Sequence, residues 1–343
     1  MSLRYKGDGG ASSAGLDTLL TLVAHYAPHW VAIELDIPFS ALIHLDSHAE
    51  NFASLKKLVL TCGSAFYGGS REVARAFSRA PKLRDVHIVS GVSATSLARP
   101  WHQLVTLRLD NSTPTQCLAA LALVPNLVNF TSTLWDSWIA PTPILHLPRL
   151  ESLRLILCHA RGPALLTYLT LPALHHLELD LPDPPHIDNL AQLIVRSTCF
   201  LRRLSVKLGP LGTADDVLRL LEAIDSLEEL EIRKGGPSID TAFRLLKAQP
   251  RLLPNLKLLH VERTMTGAED AELIADLLEG RWNLNAPAGV SLPVRLESFR
   301  LHSPLTTPPE LDSDAVLRLA RLQVEGMSIQ ITSSSSSWLP RRR

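Results

Sequence analysis

Leu150-Glu-Ser-Leu-Arg-Leu155 decides the reading of this chain. In an extended segment successive side chains leave on opposite faces, so Leu153 and Leu155 share one face while Ser152 and Arg154 share the other. The pattern Leu-x-x-apolar-x-apolar returns ten times, opening at Leu55, Leu83, Leu104, Leu127, Leu150, Leu174, Leu201, Leu227, Leu256 and Leu296. Successive openings lie 21 to 29 residues apart, with one final step of 40, which leaves room for one strand and one helical return per unit. The expected fold is α/β: an irregular leucine-rich-repeat solenoid with parallel strands on one face and helices on the other. A single strand cannot bury its leucines, so each repeat needs both neighbours. The alternation assigns Leu153, Leu155, Leu177, Leu179, Leu204, Leu230 and Ile232 to the core, and Arg154, Glu178, Ser205 and Glu231 to the outer face.

Between strands the period becomes helical. Ala214 to Ile224 sets Val217, Leu220, Leu221 and Ile224 on one face behind Thr213 as N-cap, and Asp240 to Lys247, Asp270 to Leu278, Leu16 to Tyr26 and Ser313 to Leu322 read the same way. Proline stands two residues before the leading leucine at Pro81, Pro125, Pro148, Pro172 and Pro254, where it is expected to end a helix and start an extended segment. Trp30 to Leu35 is an eleventh copy with Trp in the leading place, and Met327 to Ile331 alternates like a last strand. The expected organisation is one solenoid domain of about 11–12 units over residues 1–331, then a disordered Ser/Arg tail over 332–343. Arg281 to Val294, with two prolines and a glycine, is expected to protrude as a loop.

Lys plus Arg and Asp plus Glu both number 34, so no net field draws this protein to nucleic acid or to an anionic membrane. Neither partner class is expected. The first residues hold no apolar stretch long enough for a signal sequence, and no segment runs about 18 apolar residues without a charge, so a cytoplasmic or nuclear location is expected. Cys62, Cys117, Cys158 and Cys199 are too widely spaced for zinc or redox motifs and read as small buried apolar residues. Asn111-Ser-Thr and Asn129-Phe-Thr match the glycosylation acceptor pattern by chance on this reading. His44 and His48, four apart, are the best metal pair but have no third ligand, while His175 and His176 point to opposite sides of a strand. Gly91-Val-Ser-Ala-Thr95 lacks the last glycine of a nucleophile elbow, and Gly209-Pro-Leu-Gly-Thr213 lacks the lysine of a phosphate loop. The expectation is therefore a protein that is not an enzyme, with no cofactor and no metal.

Leu19 to Pro38, with its helix, its His-x-x-x-Trp sequence and its strand, and the later Pro-x-Leu-x-x-Leu-x-Leu units resemble the F-box proteins with irregular leucine-rich repeats that basidiomycete fungi carry in large numbers. The resemblance spans roughly Ser2 to Ile331. It implies a protein-interaction solenoid that recognises substrates for a ubiquitin ligase, with a Skp adaptor and cullin as partners only if an F-box precedes this chain. The Leu-Pro-x-Glu helix of an F-box is absent here, and Ser2 to Tyr5 instead resembles a strand just after it. A stand-alone scaffold or inhibitor with no ligase link is the alternative. The chain also departs from regular repeats eight places after the leading leucine, where Asn or Cys satisfies backbone groups: only Cys158 fits, so the turns must be bonded differently.

For a client protein, the expected binding residues are Arg154, His176, Glu178, Asp180, Arg203, Lys207, Glu229, Glu231, Arg233, His260 and Glu262, in adjacent rows on the outer strand face. If adjacent strands lie in register, Arg203 stands beside Glu229, Arg154 beside Glu178 and Lys57 beside Asp85, roughly 4.8 Å apart. Such pairs serve register and recognition alike, since an exposed pair contributes only about 0–1 kcal/mol.

Overall fold

In seven of the ten repeats the leading leucine closes a turn. Its N–H donates to the carbonyl three residues earlier, as in Leu55 to Phe52, Leu83 to Ala80, Leu104 to Trp101, Leu127 to Val124, Leu150 to Leu147, Leu227 to Ile224 and Leu256 to Leu253. Pro81, Pro125, Pro148 and Pro254 thereby occupy the second position of a four-residue turn, where a fixed φ near −65° is already correct. Proline here shapes the turn that starts the strand, in place of the helix-stopping role expected from the sequence. All ten leading leucines are at most 2% exposed.

One residue further on, a second regularity locks neighbouring repeats together. Within each unit the carbonyl after a leading residue commonly accepts the N–H groups of two consecutive residues in the next repeat: Val31 from Lys56 and Lys57, Arg84 from Val105 and Thr106, Arg202 from Glu228 and Glu229, Lys257 from Glu297 and Ser298, all at 2.8–3.1 Å. Because Val31 takes part, Trp30 does lead an eleventh copy.

The structure is a computed structural model that describes residues 2–4, 13–62, 73–90, 93–98, 101–135, 143–157, 164–180, 187–207, 214–233, 238–249, 251–263, 268–283, 293–304 and 313–333. The chain groups into two compact units. The first, Met1–His159 with Tyr168–Ala173, holds strands β1 (Ser2–Arg4), β2 (Ala32–Asp36), β3 (Lys57–Thr61), β4 (Asp85–Ser90), β5 (Thr106–Ser112), β6 (Asn129–Leu134), β7 (Leu145–His146), β8 (Ser152–Leu157) and β9 (Leu169–Thr170). It also holds helices α1 (Ser13–His25), α2 (Phe39–His44) and α3 (Pro114–Leu121). Strands β1 to β6 pair in sequence order and β6 pairs with β8, while β7 and β9 form a separate two-stranded ribbon. The second unit, Ala160–Thr167 with Leu174–Arg343, holds α4 (Ala164–Thr167), β10 (His176–Asp180), α5 (Ile187–Ser197), β11 (Arg203–Lys207), α6 (Ala214–Ala223), β12 (Glu229–Arg233), α7 (Ser238–Ala248), β13 (Leu258–Glu262), α8 (Ala268–Trp282), β14 (Ser298–Ser303), α9 (Ser313–Glu325) and β15 (Ser328–Ser333). Its strands pair consecutively, and every pairing within either unit is parallel. The fold is thus α/β, with open parallel sheets built from repeats.

Repeat length explains why the two units return differently. A five-residue strand spans about 17 Å, which an α-helix needs about eleven residues to retrace but an extended segment only about five. The longer steps of the second unit accommodate α5, α6 and α7, with 11, 10 and 11 residues. The shorter steps after Leu83 return instead through 3-10 turns at Ala94–Ser96 and Trp101–Gln103, the eight-residue α3 and the ribbon of β7 with β9. Helix, proline, strand is therefore not the grammar throughout. Thr113 begins α3 with a capping box, accepting from the N–H of Gln116 while the Gln116 side chain accepts from the N–H of Thr113.

The side chain just before the leading leucine satisfies orphan carbonyls of the preceding repeat. Asn126 donates to His102 O at 2.7 Å, Asn255 to Asp225 O at 3.1 Å, Ser226 to Leu201 O at 3.0 Å, and Gln103 to both Ala80 O and Leu83 O. Arg281 corrects an expectation: it lies in the last turn of α8, 3% exposed, with its guanidinium donating to Leu252 O and Leu253 O. Burial pushes its pKa down to about 10, so it stays charged at neutral pH. Trp282 is helical too, the N–H of Asn283 donates to Glu279 O and that of Val294 to Pro254 O, and 284–292 of the expected loop lie outside the described residues. Thr332 and Ser333 likewise belong to β15 and not to a tail, while 334–343 lie outside the described residues.

Leu153, Leu155, Leu177, Leu179, Leu204, Leu230 and Ile232 are all buried, as the alternation requires. Leu177→Ala is expected to lower the unfolding free energy by about 2–5 kcal/mol in urea titration, since this leucine is fully enclosed at mid-strand. A loss below about 1 kcal/mol would contradict its place in the core.

Candidate protein-binding face

The outward face of the second unit is organised in rows across its strands. One row runs Glu178, Ser205, Glu231, His260, Arg300 and Gln330, in register from β10 to β15. A second runs His176, Arg203, Glu229, Leu258, Ser298 and Ser328. Arg203 and Glu229, expected as a pair, are neighbours in register and their charged groups meet at 2.5 Å. Lys57 and Asp85 on β3 and β4 also pair, at 3.5 Å.

Ser205 corrects the expected exposure: it is only 3% exposed. Its neighbours cover it. The Ser205 hydroxyl donates to Glu231 Oε2 at 2.7 Å, while Arg233 on β12 donates across β11 to Glu178 Oε1 on β10, also at 2.7 Å. Strands two apart are separated by about 9.6 Å, which a long guanidinium can bridge only over a small intervening side chain. The Glu178–Arg233 pair is itself largely covered, at 16% and 25% side-chain exposure. His260 reaches Glu231 at 3.6 Å. Burial lowers the His176 pKa, with Arg203 adding to the effect and Glu178 and Glu229 opposing it. Asp180 and Glu262 are half-buried at the strand ends, Arg154 is exposed on β8 of the first unit, and the Lys207 side chain lies outside the described residues.

A groove opens where these strands begin. It encloses about 400 Å³ and is lined by the first two residues after the leading leucines of successive repeats: His175 and His176, Arg202 and Arg203, Glu228 and Glu229, Lys257 and Leu258, then Glu297. The backbone groups of its floor are already engaged in the two-donor carbonyl contacts, so its side chains carry the chemistry. Arg203–Glu229 and Lys257–Glu228, the latter at 3.0 Å, neutralise the middle. The Lys257 ammonium holds the Glu228 carboxyl below the usual carboxylate range. Arg202 and Glu297 form no ion pair among the described residues.

No family model and no curated protein matches this chain. Among solved structures, a crystal structure of a protein from Bacteroides fragilis is similar over 98% of this chain and 75% of its own, at 14% identity and a TM-score of 0.41. Among the described residues, no group of three or more His, Cys, Asp or Glu is placed to hold a metal, and no helix is long and apolar enough to cross a membrane.

Sequence reasoning placed His176, Arg203 and Glu229 in the binding set and left out Arg202, Glu228, Lys257 and Glu297. Their signal was present as the residue after each leading leucine, a place that strand alternation alone does not mark as exposed. It also missed a cluster in the first unit. Asp110 on β5 takes His87 Nε2 of β4 at 2.7 Å on one oxygen, and Arg108 Nε at 3.1 Å with the Thr133 hydroxyl at 3.3 Å on the other. Such a pair can orient an imidazole for base chemistry, but among the described residues no hydroxyl or thiol is bonded to His87. Burial alone would raise the Asp110 carboxyl; the His87 and Arg108 hydrogen bonds outweigh it, so the net shift is downward.

Two outcomes are expected. Glu178→Ala should cost about 1–3 kcal/mol by urea titration, because it leaves a half-buried guanidinium unpaired, and Glu178→Ala with Arg233→Met should recover most of that loss. Asp110 stabilises the fold above its unfolded value of 3.8, and that contribution is lost as pH falls through the lower folded value. Asp110→Asn should therefore flatten the decline in unfolding free energy between about pH 5 and about pH 3 relative to the natural chain.

Proposed function

We propose that this chain is a non-catalytic protein-binding repeat module whose outer strand face in the second unit holds a client protein. The observation that carries the reading is the groove across five repeats, with a neutralised centre and unpaired charges at Arg202 and Glu297. A rigid row of both signs favours one partner and rejects others by like-charge contact. The resemblance to F-box leucine-rich-repeat proteins supports a finer proposal, that the client is a substrate held for ubiquitination; the Skp adaptor and cullin would be partners through an F-box, which these residues do not include.

The ion pairs redefine which residues can test the reading. Reversing Glu231 and Arg233 would break bonds to Ser205 and Glu178 and disturb the fold as well as recognition. Exchanging Arg203→Glu with Glu229→Arg keeps a pair at the same place while inverting the polarity offered to a client. With the tagged chain as bait in an extract of the organism that encodes it, the natural chain should retain a reproducible client that the exchanged variant loses. Unfolding free energies of the two should agree within about 0.5 kcal/mol. Recovery of Skp and cullin subunits with that client supports the ligase proposal, and a client without them supports the scaffold. Equal capture by both chains would move the site off this face.

A further inference from the structure

The groove specifies more than a protein partner, because its free charges stand at a fixed distance. Arg202 opens the row of β11 and Glu297 the row of β14. Three strand spacings of about 4.8 Å separate these rows by about 14 Å. Between them the ion pairs Arg203–Glu229 and Lys257–Glu228 leave little net charge, and Leu258, 38% exposed, supplies an apolar patch. Among the described residues neither Arg202 nor Glu297 forms a side-chain hydrogen bond or ion pair, although the Arg202 charge helps to lower the Glu228 carboxyl. The opening is thus a long trough with one basic end, an apolar stretch and one acidic end.

We infer that the groove binds an extended peptide segment of the partner, laid across the strand starts, with an acidic residue on Arg202, an apolar residue toward Leu258 and a basic residue on Glu297. An extended chain advances about 3.3–3.4 Å per residue and returns to the same face every second residue, so residues at places one, three and five of a segment share a face and span about 13–14 Å. That is the Arg202 to Glu297 separation. The recognised pattern is acid-x-apolar-x-base. His175 and His176 flank the basic end.

The inference rests on the reading of this face as a protein-binding surface, and its test separates the two. The probe is fluorescein-labelled Gly-Asp-Ser-Leu-Ser-Lys-Gly, titrated with the intact chain by fluorescence polarisation at low salt, against a control with Asp and Lys adjacent. The pattern peptide should bind and the control should not. Arg202→Glu and Glu297→Lys should each weaken binding about three- to tenfold while leaving the urea midpoint unchanged, both side chains being unpaired. The double variant should prefer the charge-exchanged peptide Gly-Lys-Ser-Leu-Ser-Asp-Gly. Binding indifferent to these reversals overturns the inference. So does absent peptide binding while the intact chain captures a client that the Arg203/Glu229 exchange releases; in that case the protein-binding reading stands alone. With neither peptide nor client bound, both fall.

Discussion

Within each unit one backbone carbonyl ties a repeat to the next. Accepting two consecutive N–H groups at the head of the following strand, it fixes where that strand starts, and the side-chain period of two then decides which residues face the core. A slip of one residue would send the leucines outward and the charges inward. The turn closed by the leading leucine puts that carbonyl in place, and the buried leucine holds the turn. Hydrophobic burial and backbone hydrogen bonding thus specify the same register, the kind of agreement between levels that makes a sequence fold to one structure.

The strands were legible because alternation is a strong signal and the leucine spacing repeats it. Helices α6, α7 and α9 were legible from their apolar stripes. What the sequence reading lost were consequences of distance and of partners. It gave Pro125 and Pro254 to helix ends, since a turn closed three residues later leaves no mark in periodicity. It placed Arg281 in a loop, because the carbonyls of Leu252 and Leu253 that hold it are 29 and 28 residues away. The 3-10 returns after Leu83 were a matter of repeat length, which the spacings contained but which becomes decisive only when compared with the span of a strand.

The candidate face was partly legible. Arg203 with Glu229 followed from register alone. Glu178 with Arg233 did not, because neighbouring strands are the natural place to look for a partner and this pair skips one. The contact crosses β11, where Ser205, in register with Glu178, offers little bulk. Residues that look like free recognition charges in sequence are therefore of two kinds: Arg202 and Glu297 form no ion pair among the described residues, while Glu178, Glu231 and Arg233 hold three strands together.

Ser205 has a consequence for how this surface can change over generations. Where side chains meet solvent alone, as at Arg202, a substitution alters one contact, and recognition can drift one residue at a time. At Ser205 a larger side chain would evict the guanidinium above it and leave Glu178 and Arg233 without each other. That part of the face is therefore expected to vary as a block, its three positions changing together or not at all, while the trough beside it varies freely. Lineages of this protein would then share a conserved triad next to a rapidly diversifying edge.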